Sequence, residues 1–327
     1  MLNSPKGPAE MNDSPMKVLI SDPLPPQTRE ILEKAGLLVV EGEDQVDASL
    51  GSISGWILRS GTQITAEVLD RAPGLKCICR AGAGVDNIDC DAAADRGILV
   101  MNTPAANSNA AAEQALGLMF ALARNIPQGH LAMTEGGWGR KELVGIELAG
   151  RTLMVLGLGK IGRRVCKKAN ALGMTVVACD PVVGAEVASS CGAELISLED
   201  ALGRADFISL HPPLNDSTIG MVNDEFLARC KDGVRIVNVS RGPVIEEAAL
   251  LKGLESGKVA GAALDVYAEE PPAADHPYRQ HARVICTPHL GASTVEAQDN
   301  VGTQSAHQVV AFLTEARVEH AVNAPGL

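Results

Sequence analysis

Short apolar runs alternate with helix-like stretches along most of this chain. From residue 17 the runs Val18-Leu19-Ile20, Leu37 to Val40, Trp56-Ile57-Leu58 and Leu75 to Cys79 are separated by helical spacing over Pro25 to Ala35 and Thr65 to Ala72. Strand-length runs divided by helices predict a parallel sheet with helices on its faces, because a parallel connection has to cross over the sheet. A second series starts at Thr152-Leu153-Met154-Val155-Leu156, repeats at 175–179, 206–210, 234–239 and 259–264, and ends with Val284 to Cys286. The expected class is therefore α/β, with two doubly wound parallel-sheet units.

Between the two series, Ser108 to Ala123 is rich in Ala, Leu and Met and follows Asn102-Thr103-Pro104, which suits a long helix after an extended hinge. Gly129 to Gly150 reads as looser chain, with Gly136-Gly137-Trp138-Gly139 at its centre. A helical pattern from about Ser293 to Leu313 follows the last run, as if the chain returned to complete the first unit. The expected domains are residues 16–105 with 295–327, split by an inserted domain over 106–294. Residues 1–15 are rich in Pro, Ser, Asn and Gly, lack the apolar stretch of a signal peptide, and are expected to be a disordered tail.

Composition narrows the partners. Of 327 residues, 46% are hydrophobic but only 2% aromatic, so the core has to be built from Ala, Val, Leu and Ile. The formal net charge of −12 argues against nucleic acid. It also means that an anionic ligand must be attracted locally, by arginines and helix N-termini. No 18-residue apolar segment suggests a membrane span. The eight cysteines, at 77, 79, 90, 166, 179, 191, 230 and 286, sit mostly in apolar runs and form no Cys-x-x-Cys pair. They read as buried small hydrophobes in a reducing cytoplasm, with no metal site.

Gly157-Leu158-Gly159-Lys160-Ile161-Gly162 directly follows an apolar run and opens a helix-like stretch, Ile161 to Leu172. In that context the first glycine permits a tight turn, the second lets a pyrophosphate approach the backbone, and the third lets helix and strand pack closely. Asp180, eighteen positions beyond Gly162 at the end of the next run, suits a ribose diol and repels a 2′-phosphate, so the expected cofactor is NAD rather than NADP. These features predict a Rossmann-like unit. Gly82-Ala83-Gly84-Val85-Asp86-Asn87 also follows a run but lacks the third glycine. It reads either as a substrate-facing loop or as an ordinary β-to-α turn.

Oxidation of a 2-hydroxy acid needs a base for the hydroxyl proton and a fixed cation for the carboxylate. Arg241, in Asn238-Val239-Ser240-Arg241-Gly242 at a strand end, has a guanidinium that matches a carboxylate bidentately. His289, after the run 284–286, and Glu270, before Pro271-Pro272, suit an acid–base pair in which the carboxylate orients the imidazole and favours its protonated form. Taken singly, each of the three would more often be structural. His130, His276, His281, His307 and His320 receive no role, and His211-Pro212 suits either a turn or a flank of the adenosine. Arg59 and Arg80 end adjacent runs, at the sheet edge expected to face a cleft between the units, and are candidates for a substrate phosphate.

Together, the glycine motif with Asp180, Asn238-x-x-Arg241-Gly242, Ala263-Leu264-Asp265-Val266 with Glu269-Glu270-Pro271, and Pro288-His289-Leu290-Gly291-Ala292-Ser293-Thr294 resemble the D-2-hydroxyacid dehydrogenase family, in order and spacing, from about residue 17 onward. The segments Arg80 to Asn87, Gly97 to Pro104 and His289 to Thr294 most resemble members acting on a phosphorylated three-carbon acid, in serine biosynthesis. The resemblance implies Arg241, Glu270 and His289 as the catalytic set. It implies NAD contacts at Gly157, Gly159, Lys160, Ile161, Gly162, Asp180, His211, Pro212, Val239, Ser240, Arg241, Asp265, His289, Leu290, Gly291 and Ala292. Substrate contacts are expected at Arg59, Ser60, Arg80, Ala81, Gly82, Ala83, Gly84, Arg241 and His289, while Arg140-Lys141 resembles a basic pair of such members that can reach an adjoining site in the dimer, or reads as solvated surface cations. It further implies a split substrate domain and a homodimer or homotetramer, with glyoxylate or hydroxypyruvate reductases and NAD-sensing corepressors as alternative members. Ala83 and Pro212 stand where relatives often carry threonine, so two hydroxyl contacts to the cofactor are missing. Since the chain ends just past Val322-Asn323-Ala324, a short form without a serine-binding regulatory domain is expected.

Overall fold

The computed structural model describes residues 15–323. The tail expected over 1–15 lies, but for Pro15, outside the described residues, as does Ala324. Contacts divide the chain into two compact units, one formed by residues up to Ala106 together with those from Gln298 onward, the other by Asn107–Ala297.

The first unit holds β1 (Lys17–Ile20), β2 (Leu38–Glu41), β3 (Gly55–Leu58), β4 (Cys77–Arg80) and β5 (Leu99–Asn102) in a parallel sheet of order β2-β1-β3-β4-β5. The strand β5 is additional to the four runs read from the hydrophobic pattern. Alternate side chains feed two cores. Leu19, Trp56, Ile78 and Val100 fill one face, while Val18, Ile57, Cys77 and Met101 pack on the other with Val301 and Val309 of the helix Val295–Glu315. Burial on both faces is why these strands read as unbroken apolar runs rather than as an alternation.

The second unit holds β6 (Thr152–Leu156), β7 (Thr175–Cys179), β8 (Glu194–Leu195), β9 (Phe207–Leu210), β10 (Val234–Asn238), β11 (Val259–Leu264) and β12 (Val284–Cys286), in the order β12-β11-β10-β9-β6-β7-β8. Every strand pair is parallel. The helices Ser108–Arg124 and Lys160–Ala171 cover one face through Ala112, Ala115, Val165 and Ala169. Such small side chains let helices and sheet approach closely, which is how a core nearly without aromatics reaches interior packing density. The stretch from Gly129 is not uniformly loose, since a helix spans Ile126–Thr134. Asn125 in the left-handed region, φ 51°, ends the preceding helix, and Pro127 starts this one.

All eight cysteines are free; Cys90 and Cys286 are only partly buried, unlike the other six. Among the described residues no helix is long and apolar enough to cross a membrane.

Candidate active site

Both sheets reverse their strand order at an inner strand, and the loops at such a switch point diverge to leave a crevice at the carboxyl ends of the strands. In the second unit the switch lies between β6 and β9. Gly157, with φ 93°, leaves β6 so close to the β9 exit that a Cβ there would stand 2.7 Å from the carbonyl oxygen of His211. A Cβ on Gly162 would overlap the carbonyl oxygen of Gly157, so the first turn of the helix Lys160–Ala171 rests directly on the strand exit. Gly159 has no such neighbour within 4 Å. The open side of Gly159 faces the end of a 12-residue helix whose first amides are donors without intrahelical partners.

A cavity of about 580 Å³ lies beside this turn, lined by Gly157, Gly159, Arg163, Asp180, Pro212 and Thr218 among others. Asp180 Oδ2 accepts from Leu158 N at 2.7 Å, and its Oδ1 accepts from Val182 N and Val183 N at 2.9 and 3.1 Å. The carboxylate thus ties the end of β7 to the glycine turn. An open glycine, a helix N-terminus and an acid at the next strand end fit NAD. Of the residues expected against the cofactor, Gly157, Gly159, Asp180 and Pro212 line this cavity; the others do not. Val239 is part of the core. The imidazole of His211 meets Ser209 Oγ at 2.7 Å, and burial pushes it down to about 4, so it is neutral at working pH.

Around β10, β11 and β12 the chain builds a second group. Gly242 is pressed so tightly against the backbone of Tyr267 and Ala268 that no side chain fits, which draws the Arg241 loop to the segment carrying Glu270. Asn238 Nδ2 donates to Arg241 O at 2.9 Å, and Asn238 Oδ1 accepts from Ser240 N at 3.0 Å, fixing that loop. His289 Nδ1 and Glu270 Oε2 are 2.6 Å apart, and Glu270 Oε1 accepts from Tyr267 N at 3.1 Å. Burial raises the Glu270 carboxyl, but the His289 hydrogen bond and charge, the Tyr267 amide and the Arg241 charge outweigh it and hold the group below the usual carboxylate range. A cavity of about 490 Å³ opens against the pair.

His289 has φ 53°, a conformation that non-glycine residues rarely adopt. Asp265, fully buried, holds it there: its oxygens accept from Leu290 N and Gly291 N, both at 2.8 Å, and from Thr287 Oγ1 at 2.5 Å. Gln114 braces Thr287 from the helix Ser108–Arg124 at 3.3 Å. Asn238, Thr287 and Gln114 have no role in the sequence reading. A polar residue closing an otherwise apolar strand, as Asn238 does, is the signal that points to one of them. Among the described residues no cluster of three His, Cys, Asp or Glu suits a metal ion.

In the first unit, Arg59 follows β3 and Arg80 ends β4, adjacent strands paired at Leu58 and Arg80. Ser60 and the turn Ala81-Gly82-Ala83-Gly84 follow them, with Gly82 N donating to Arg80 O at 2.8 Å and Ala83 O accepting from Asn102 Nδ2 at 2.6 Å. Arg140 and Lys141 are exposed and lie in turns of the second unit.

Residues 116–291 match the D-isomer specific 2-hydroxyacid dehydrogenase, NAD binding domain. The chain is 47% identical over 315 residues, 95% of its length, to D-3-phosphoglycerate dehydrogenase of Rattus norvegicus, and spans 59% of the length of that relative. Its fold is similar to the TT0316 protein of Thermus thermophilus, with a TM-score of 0.86 and 33% identity over 94% of this chain and all of that one. It is also similar to a glyoxylate reductase from Paecilomyes thermophila, with a TM-score of 0.85 and 31% identity over 95% of this chain and 98% of that one.

Proposed function

The chain belongs to the D-isomer specific 2-hydroxyacid dehydrogenase family, and from that premise we propose that it oxidises 3-phospho-D-glycerate to 3-phosphohydroxypyruvate with NAD, reversibly, in serine biosynthesis. The contact of 2.6 Å between His289 Nδ1 and Glu270 Oε2, beside the loop of Arg241, carries this reading. Similarity to the rat phosphoglycerate dehydrogenase over 95% of the chain supports the substrate.

With Nδ1–H committed to the carboxylate, the other imidazole nitrogen, Nε2, is left to accept the C2 hydroxyl proton. Glu270, held ionised, stabilises the imidazolium that results. Arg241 grips the substrate carboxylate and presents C2 to the base. Gly157, Gly159 and Asp180 would hold NAD beside the helix that Gly162 seats on the strand exit, and NAD, when bound, would supply the hydride acceptor. In the reverse direction the same imidazolium returns its proton to the carbonyl oxygen. Arg59 and Arg80 are the proposed cations for the substrate phosphate. The exposed apolar side chains Ile126, Leu131, Met133, Trp138 and Val144 support self-association as a homodimer or homotetramer, and eight free cysteines support a cytoplasmic location.

A glyoxylate or hydroxypyruvate reductase is the second reading, favoured by the similarity to the fungal glyoxylate reductase. Measuring kcat/KM for 3-phosphoglycerate, glycerate and glyoxylate separates the two. Arg59→Ala should lower the value for the phosphorylated acid by roughly 10- to 100-fold, the worth of a charge-assisted contact, and leave glycerate nearly unchanged. A wild-type enzyme that prefers glyoxylate discards the phosphoglycerate assignment and leaves the dehydrogenase chemistry intact.

A further inference from the structure

The glycine-rich turn after β4 resembles a nucleotide loop without being one, and its sixth residue is Asn87 where a dinucleotide loop has its third glycine. A third glycine lets a helix pack against its strand. Asn87 instead carries a side chain that is buried, 7% exposed, and fully engaged. Its Nδ2 donates to Arg59 O at 2.8 Å and to Thr62 O at 2.6 Å, and its Oδ1 accepts from Arg80 Nε at 3.1 Å. One amide therefore grips the loop of one arginine and the guanidinium of the other.

The loop 59–62 is held from its opposite side as well. The first unit reverses its strand order between β1 and β3. Asp22, just beyond β1, accepts from Arg59 N at 2.7 Å and from Thr62 Oγ1 at 2.9 Å. Gly82 adds a steric condition: a Cβ there would overlap the Arg80 guanidinium and displace it from its place over the turn. Arg59 and Arg80 leave adjacent strand ends, and Asn87 is bonded both to the backbone of the one and to the guanidinium of the other.

We propose that Asn87 is a positioning residue that holds Arg59 and Arg80 as one anion subsite, whose ligand is the phosphate of a phosphorylated 2-hydroxy acid. The assignment of that ligand rests on the proposed function; the clamp does not. An amide is the side chain suited to this place, because it donates to two carbonyls and accepts from a guanidinium at once. A carboxylate would set lone pairs against the carbonyls of Arg59 and Thr62 and draw the Arg80 charge to itself.

Two variants and two readouts test the clamp. Asn87→Ala removes all three bonds, and the near-isosteric Asn87→Asp keeps the packing if alanine does not fold. Both should raise KM for 3-phosphoglycerate by roughly tenfold or more, the scale of lost buried hydrogen bonds, with kcat within about twofold and KM for glycerate unchanged. A purely structural role would lower kcat for both acids, and that result overturns the proposal. The second readout needs no turnover. Trp56 Nε1 donates to Ser21 Oγ at 2.9 Å, and Thr62 Oγ1 meets the same oxygen at 2.8 Å, so Trp56 reports on the loop. In a Trp138→Phe background, inorganic phosphate should change Trp56 fluorescence in a saturable way, at roughly tenfold higher concentration in either Asn87 variant. Equal phosphate affinity in variant and parent refutes the clamp. A parent that binds phosphate through Asn87 yet shows no preference for the phosphorylated acid upholds the clamp and refutes the substrate assignment.

Discussion

The three glycines of the cofactor turn should respond to alanine in three different ways. Gly159 has φ −64° and no neighbour within 4 Å of a built Cβ, so a methyl group strains nothing in the folded chain. Replacing glycine at a compatible position stabilises by about 0.4–1 kcal/mol through the unfolded state. Gly159 is also the N-cap of its helix, where alanine is poorer than glycine, so the two effects offset and Gly159→Ala should melt close to the wild-type temperature. The same methyl would occupy the space through which the pyrophosphate reaches the first helical amides. Losing one charge-assisted bond of about 1.5–3 kcal/mol weakens NADH by roughly 10- to 150-fold. Gly162→Ala is the opposite case. Its methyl would overlap the carbonyl oxygen of Gly157 and press within 3.2 Å of Val155 Cγ1, both anchored in the sheet, so the helix has to lift. Overpacking of this kind costs about 1–3 kcal/mol or more. Gly157→Ala combines a left-handed φ of 93° with a contact at 2.7 Å to His211 O and should be destabilised similarly. Urea unfolding of each protein without cofactor, alongside NADH titration by fluorescence, separates stability from binding. The reasoning fails if Gly159→Ala binds NADH as tightly as wild type, or if it loses as much stability as Gly162→Ala.

Asp180→Ala should relax the preference for NAD over NADP and, with three backbone donors left without their acceptor, lower stability by about 1–3 kcal/mol; a native enzyme that uses both dinucleotides equally would refute the ribose assignment. His289→Ala should lose about 10²–10⁴-fold in kcat while NADH affinity stays within a few fold, and near-native turnover would remove that residue from the mechanism. Glu270→Gln should lower kcat by roughly tenfold or more, because a neutral amide 2.6 Å from Nδ1 neither orients the imidazole as the carboxylate does nor balances the charge that it gains in proton transfer; unchanged turnover speaks against the pair. His211 is neutral when folded, at about 4 against 6.5 when unfolded, so its contribution to stability is complete above pH 6.5 and is lost as the pH falls towards 4, by about 3 kcal/mol at most. Urea unfolding at pH 7.5 and 4.5 should show a smaller acid loss for His211→Gln than for wild type, and equal losses would count against the buried neutral imidazole.

The sequence by itself determined what depends on neighbours in the chain. Strands buried on both faces are unbroken apolar runs, so β1, β3, β4, β6 and β7 were legible, and the glycine turn was legible because strand, turn and helix are consecutive. Two short edge strands were not: β8 has two residues, and β5 follows Gly97 with only Leu99, Val100 and Met101 before Asn102. The helix Ile126–Thr134 was hidden by Gly129, since one glycine costs a helix only about 1 kcal/mol and tertiary contacts offset it. What the tertiary structure decided is the company each side chain keeps. Glu270 and His289 stand nineteen positions apart in the chain, and no periodicity sets the distance between them. That distance follows from Gly242 meeting the backbone of Tyr267 and from Asp265 holding the amides of Leu290 and Gly291. Asn87 and Asp22 likewise act on Arg59 across 28 and 37 positions. A parallel sheet brings its strand ends to one edge whatever their order in sequence, and hydrogen bonds between loops on that edge depend on the register of the sheet, which local sequence does not encode.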